Sequence, residues 1–182
     1  SNQAAVLTAD TLFRYMEHLS GINLTDLGIG EEYKSKPHFQ DDDLEELMNL
    51  LWPIERKEYT YNRIWAEYDS TAVKPNLITV GDSYYWGFLY NLQLDYFFNR
   101  HPYWYYNTSI TDDPIHQNVS EIDYLKMLLS SDIIMLIYSP CNLFDLNRHF
   151  LTKSLFALLF DDDVTETKIN ELKQDIKNNP DR

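Results

Sequence analysis

Hydrophobic residues follow two different patterns along this chain, and together these patterns predict a fold that contains both helices and strands. Residues 7–19 carry apolar side chains at helical spacing and are followed by Gly21, a common helix stop. Residues 77–80 and 132–138 are instead short, almost continuously apolar runs. Such runs are typical of strands covered on both faces of a parallel sheet. The pattern therefore predicts a buried sheet flanked by helices.

The remaining segments extend this order of elements. Helical spacing predicts further helices at residues 43–51, 84–98, 121–129, 144–160 and 165–177, with Ser120 as the N-cap of the third of these. One or two strands are predicted within 57–68, a second core strand at 103–107, and a long polar loop at 23–40. From residue 77 onward strands and helices alternate, so we expect an α/β fold with three layers and a mostly parallel central sheet. Residues 1–182 fit one domain.

Charge and composition narrow the functional classes. The 182 residues carry a net charge of −14, and nucleic-acid binding is not expected because phosphate contacts need lysine and arginine. Two acidic runs, 41–43 and 161–163, precede predicted helices, where carboxylates favour a helix N-terminus, and neither has the spacing of a Ca²⁺ loop. Cys141 is the only cysteine, so no internal disulfide is possible. We expect no metal, no cofactor and no membrane-spanning segment within these residues.

The junction after the strand at 77–80 carries the candidate chemistry. Gly81, Asp82 and Ser83 follow that strand directly and precede the predicted helix. A strand, a tight turn and a helix would place Ser83 at the carboxyl end of the strand, near the N–H groups that open the helix. Such donors stabilise an oxyanion, which suits a serine nucleophile. An ordinary strand–turn–helix junction is the alternative.

The same residues resemble the first block of the SGNH (GDS-type) hydrolases. The resemblance implies a flavodoxin-like sheet in which Ser83 attacks an ester carbonyl and its backbone N–H contributes to the oxyanion hole. It also implies that Gly81 allows a close approach and that Asp82 shapes the loop. The segment 139–143, Ser-Pro-Cys-Asn-Leu, is similar to the alginate O-acetyltransferase-like branch of these proteins. The usual Gly-x-Asn-Asp third block is absent, and Asn142 is the best substitute as a second oxyanion donor.

A hydrolytic serine needs a base, and three sources are open. Asp113 and His116 have the Asp-x-x-His spacing of the last SGNH block, although they precede the third core strand instead of following it. His149 follows that strand. In the alginate O-acetyltransferase-like branch an Asp-x-His-Trp motif lies upstream of the serine block, and residues 1–10 look like its continuation. The resemblance therefore allows the base to lie before residue 1, in which case the domain is incomplete at its N-terminus.

Aromatic residues make up 15% of the chain, and two of them bear on the substrate. Trp86 and Trp104 can line a cleft for sugar, while core packing is the alternative for most aromatic side chains. The leading hypothesis is a serine esterase or O-acetyltransferase acting on acyl esters of carbohydrate or another small ester. The resemblance places it in the bacterial periplasm or at the cell surface. A catalytically inactive domain that binds carbohydrate or a partner is the alternative, and a nucleotide or flavin binder is disfavoured because no Gly-rich phosphate loop is present.

Overall fold

The described part of the chain forms four helices and seven strands. The computed structural model describes residues 2–38, 52, 58–112, 115–145 and 150–160. The helices are α1 (Asn2–Ser20), α2 (Trp86–Asn91), α3 (Tyr124–Leu129) and α4 (Phe150–Phe160). The strands are β1 (Leu27–Ser35), β2 (Tyr59–Ala66), β3 (Leu77–Gly81), β4 (Tyr103–Tyr105), β5 (Ser109–Asp112), β6 (Ile115–Asn118) and β7 (Ile133–Ile137). The helices predicted at 43–51 and 165–177, and both acidic runs, lie outside the described residues.

A five-stranded mixed sheet has the strand order β6-β5-β4-β3-β7. Strand β3 pairs in parallel with β4 on one side and with β7 on the other. Strands β5 and β6 continue the sheet in antiparallel orientation beyond β4. The predicted α/β class is therefore confirmed as a mixed sheet with helices, while the two outer strands make the sheet less parallel than predicted.

Helices cover both faces of this sheet. On one face, α1 and α2 contribute Phe13 and Phe88 to a buried cluster that also holds Leu77. On the other face, α3 and α4 pack over Val80, and Phe150 belongs to that second cluster. All five residues of β3 are buried. Alternate residues of β3 point into the two clusters, which explains why its sequence is apolar almost throughout.

Strands β1 and β2 form a separate antiparallel sheet beside α1, and β1 corrects the prediction of a polar loop at 23–40. A Cβ at Gly28 would collide with the indole ring of Trp65 on β2. Glycine is therefore needed for the indole to pack across the facing strand. Because glycine adds no apolar side chain and residues 31–34 are exposed, the strand shows no clear hydrophobic alternation. The strand predicted within 57–68 is confirmed as β2.

Two predicted helices are shorter in the structure. The helix predicted at 84–98 is limited to α2, because the chain becomes extended at Leu92 and then forms a 3₁₀ turn at Leu94–Tyr96. The helix predicted at 121–129 begins only at Tyr124. Asp123, and not Ser120, is its N-cap, since the Asp123 carboxylate accepts a backbone N–H from the first turn.

The segments after β4 and after β7 also differ from the prediction. Strands β5 and β6 form a hairpin beyond β4, where periodicity indicated no strand. The turn between β4 and β5 holds Tyr106 and Asn107 at φ values of 48° and 52°. This left-handed conformation is uncommon for a tyrosine. After β7, a 3₁₀ turn at Pro140–Asp145 occupies the start of the helix predicted at 144–160.

Candidate functional site

The Gly81–Asp82–Ser83 turn lies at the carboxyl end of β3, in the middle of the sheet. From β3 the chain leads to β4 on one side, and it later returns to β7 on the other side. In open α/β sheets a crevice forms outside the carboxyl ends of strands where the connections leave in opposite directions. Ser83 opens a 3₁₀ turn, Ser83–Tyr85, that runs into α2. The strand–turn–helix junction expected from the sequence is therefore present.

Gly81 lies where β3 and β7 approach each other closely. A Cβ at this position would collide with the backbone oxygen of Ile137 and with its side chain. The backbone N–H of Asp82 donates to the same Ile137 oxygen at 3.3 Å. Gly81 thus allows the backbones of β3 and β7 to approach each other closely, and the close approach that the resemblance implied at this residue is an approach to a neighbouring strand.

The Asp82 carboxylate is buried and joins the turn to the loop after β7. It accepts hydrogen bonds from the N–H of Tyr84 at 3.0 Å, the N–H and Oγ of Ser139 at 2.8 and 2.6 Å, and Nδ2 of Asn142 at 2.7 Å. Burial by itself would raise the pKa of Asp82, but the hydrogen bonds from Ser139, Asn142 and Tyr84 outweigh it, so the pKa is lowered. The Asp82 carboxylate is therefore ionised, and its hydrogen bonds connect the end of β3 to the loop after β7.

The backbone of the turn is held from β4 as well. The buried Tyr103 phenol donates to the backbone oxygen of Asp82, and the N–H of Tyr85 donates to it at 3.1 Å. The N–H of Tyr106 donates to the oxygen of Gly81 at 2.8 Å. Burial raises the pKa of Tyr103 far above its usual value, so the phenol keeps the proton that it donates. Strands β3, β4 and β7 all contribute to the shape of this turn.

Ser83 itself is exposed, in contrast to Gly81 and Asp82, which precede it and are buried. Its hydroxyl and its backbone N–H have no hydrogen-bond partner among the residues that the structure describes. One residue thus offers an accessible hydroxyl together with an unused N–H donor at the start of a helical segment. These are the two groups that a serine nucleophile needs from its own residue.

Asn142 is brought to the turn, but its amide nitrogen is already engaged. Nδ2 lies 2.7 Å from Asp82 Oδ2, 3.2 Å from the Tyr106 hydroxyl and 3.2 Å from Ser139 Oγ. Two amide hydrogens are therefore shared among three acceptors. Asn142 braces the turn, and a role as second oxyanion donor would require it to release one of these contacts.

The structure places the backbone of one predicted base, His116, away from Ser83. His116 lies on β6, the outermost strand, and pairs with Thr111 on β5. Thr111 pairs in turn with Tyr103 on β4, which pairs with Thr79 on β3. Three strand spacings separate His116 from β3, roughly 14 Å. The cause is the β5–β6 hairpin, which places His116 within the sheet and away from its carboxyl edge. Asp113 and His149 lie outside the described residues.

The two tryptophans singled out in the sequence have different surroundings. Trp104 is fully buried, with its ring centroid 5.1 Å from that of Tyr124 and 6.0 Å from that of Phe150. It is a core residue and cannot contact a substrate in this structure, which corrects the expectation for that position. Trp86 is partly buried, edge-on to Tyr103 and stacked on Tyr90. Trp86 thus retains an exposed part, and its contact with a substrate stays a prediction.

Several residues of the site were missed by sequence reasoning. Ser139 and Tyr106 complete the Asp82 network, and Tyr84, 70% exposed, stands directly after Ser83. Ser139 and Tyr106 follow β7 and β4 in sequence, so the rule that ligands meet at strand carboxyl ends is the signal that could have found them.

The fold and the site together define a mixed α/β protein with an exposed serine at the carboxyl end of its central parallel strand. No protein-family model matches the chain, and no curated protein or solved structure matches it either. Across the described ranges, no helix is both long and apolar enough to cross a bilayer. The same ranges contain no group of three or more metal-ligating His, Cys, Asp or Glu side chains.

Proposed function

We propose that this protein is an SGNH-type serine esterase or O-acetyltransferase with a three-layer flavodoxin-like fold, acting on acyl esters of carbohydrate. The observation that carries the proposal is the exposed Ser83 hydroxyl beside its own unused N–H, on a turn braced by the buried Asp82 carboxylate. Such a turn holds the nucleophile in place before the substrate arrives, which lowers the cost of reaching the transition state. The proposed setting is the bacterial periplasm or cell surface.

The proposed reaction is an acyl transfer in two steps. Ser83 Oγ forms a bond to the acyl carbonyl carbon while its proton passes to a base, and the Ser83 N–H donates to the resulting oxyanion. Collapse of this intermediate breaks the ester bond, and the protonated base returns the proton to the departing sugar oxygen. Water or a second sugar hydroxyl then takes the acyl group from Ser83. In this proposal a histidine acts as the base. His116 is disfavoured for that role because its backbone lies on β6, three strands away from β3.

Labelling by a fluorophosphonate probe, together with p-nitrophenyl acetate turnover, tests the nucleophile. Ser83→Ala should abolish labelling and reduce turnover about 10³-fold or more, because no other group replaces the attacking oxygen. Ser120→Ala is the matched control, since Ser120 is also an exposed serine in a 3₁₀ turn. Both measurements should be made on the 182-residue chain and on a form extended at its N-terminus. Turnover in the extended form that survives Ser83→Ala would refute the assignment.

Carbohydrate binding without catalysis is the second candidate function. It is favoured by exposed aromatic side chains in the turn and in the helix that follows it. Tyr84 comes directly after Ser83 and is exposed, and the partly buried Trp86 stacks on the exposed Tyr90. Aromatic faces of this kind stack on sugar rings. In a glycan-binding assay, Tyr84→Ala should then weaken binding while Ser83→Ala leaves it unchanged. Tyr68→Ala, which removes a tyrosine that is almost fully exposed elsewhere, is the control. Equal effects of the two tyrosine variants would contradict this function.

A further inference from the structure

Strand β7 forms one edge of the five-stranded sheet. Among the described residues it pairs only with β3, in a regular parallel register. Natural proteins usually protect such an edge with charges, proline or a bulge, because unpaired N–H and C=O groups are a template for another strand. The residues of β7, Ile-Ile-Met-Leu-Ile, include no charge and no proline, and their register has no bulge.

Two residues of β7 have backbone groups that no other described residue pairs with. Ile133 donates its N–H, and Ile137 accepts at its C=O, on the side of β3. Bonding residues alternate along a parallel ladder, so the N–H and C=O groups of Ile134 and Leu136 point away from β3. The edge therefore presents two donors and two acceptors, placed symmetrically about Met135.

Apolar side chains surround this edge on both faces of the sheet. Ile134 and Leu136 are 43% and 37% exposed, on the face that carries α3 and α4. On the opposite face, a groove of about 650 Å³ runs between β7 and α1, and Tyr15 and Leu19 of α1 line it. Both of these α1 side chains are themselves exposed.

We propose that β7 of a second copy of this chain occupies the edge, antiparallel and related by a two-fold axis beside Met135. In this register Ile134 lies opposite Leu136 of the second copy, and the reverse also holds. Each such pair exchanges both backbone hydrogen bonds, so all outward-pointing groups of the two strands are satisfied. The exposed Ile134 and Leu136 side chains become cross-strand neighbours on one face, and the two α1 helices face each other across the axis on the other.

The area and charge of this interface set its strength. Strand edges of about 17 Å, with the exposed side chains of β7 and α1 from both copies, bury on the order of 1,000 Å² in total. This area is at the low end of specific interfaces, so the dimer is weak, with a dissociation constant in the micromolar range. Each copy carries a net charge of −14, and salt therefore strengthens the dimer by screening the repulsion between copies.

Sedimentation equilibrium over a range of protein concentrations, at low and high salt, tests the proposal. Ile134→Lys places a charge in the paired edge and should raise the dissociation constant about tenfold or more. Leu129→Lys is the matched control, because Leu129 on α3 is equally exposed, at 45%, and should leave the constant unchanged. A wild-type chain that stays monomeric at high concentration and high salt overturns the proposal, as does an equal effect of the two variants.

Disulfide capture tests the register independently of affinity. In a Cys141→Ser background, Met135→Cys should form a disulfide-linked dimer on mild oxidation, because the two Met135 positions face each other at about 4.5 Å between Cα atoms. Ile134→Cys in the same background should not, since its partner is Leu136. Equal cross-linking of both variants contradicts this register. Slow hydrogen exchange at the Ile134 and Leu136 amides in a proven monomer would show that another segment of the chain covers the edge, and would refute pairing between copies.

Discussion

Asp82 shows how a single residue fixes the candidate site. Its carboxylate accepts four hydrogen bonds from three residues, and two of them, Ser139 and Asn142, come from the loop after β7. Charge-assisted bonds of this kind are among the stronger ones in proteins. The residue that the resemblance marked only as a loop-shaping neighbour of Ser83 is thus the structural centre of the turn.

Asp82→Asn should reduce the free energy of unfolding by about 2–4 kcal/mol at neutral pH, because an amide NH₂ would face donors that now meet a carboxylate oxygen. Urea denaturation measures the effect. Asp123→Asn is the matched control, since asparagine caps a helix as well as aspartate and should cost only a few tenths of a kcal/mol. A loss at Asp82 no larger than at Asp123 would contradict the bracing role.

The stabilisation from Asp82 should also depend on pH. The folded-state pKa of Asp82 is lowered relative to its unfolded value of about 3.9. Its contribution is therefore complete above that unfolded value and is lost as the pH falls through the folded one. The difference in unfolding free energy between wild type and Asp82→Asn should shrink below about pH 4. A difference that is constant from pH 7 to pH 3 would show that the charge of Asp82 is not what stabilises the turn.

At the scale of elements, the junction between β3 and β7 is the most constrained contact. Gly81→Ala should destabilise the protein by about 1–3 kcal/mol, because its Cβ would push the two strands apart at the Ile137 carbonyl. The same shift would lengthen the contacts of Ser139 with Asp82, so probe labelling of Ser83 should fall along with the melting temperature. Thermal unfolding and labelling of the variant check both effects. A variant with unchanged stability would show that β7 moves freely at this point.

The elements themselves were predictable to different degrees, for physical reasons. Strand β3 was predicted because burial on both faces makes its sequence apolar throughout. Strand β7 was predicted from an equally apolar run, although Ile134 and Leu136 on one of its faces are exposed. Strand β1 was missed because its glycines make room for Trp65 and add no hydrophobic signal. The helix after Ser83 was predicted too long, because Leu92 lies at a helical position in the sequence while the fold requires an extended chain there. Local periodicity indicates which residues are buried, but it does not indicate the residue at which tertiary packing ends a helix or a strand.

At the scale of the whole molecule, the position of Ser83 could be predicted and its surroundings could not. The strand–turn–helix pattern placed Ser83 at a strand end from local sequence alone. The order β4-β3-β7, which brings Tyr106 and Asn142 to that end, depends on non-local pairing. The same pairing moves His116 to the far edge of the sheet and buries Trp104 in the core. Site residues that are far apart in the sequence can be identified only once the strand order is known.

The hydrogen bond between Asn142 and Asp82 joins residues that are 60 positions apart, and this separation has a consequence during synthesis of the chain on the ribosome. At ribosomal rates of about 5–20 residues per second, Ser83 is made several seconds before its turn can be braced. During that interval the Asp82 carboxylate lacks the hydrogen bonds that Ser139 and Asn142 donate to it. The order of translation therefore delays the final shape of this turn until β7 and the loop that follows it have left the ribosome.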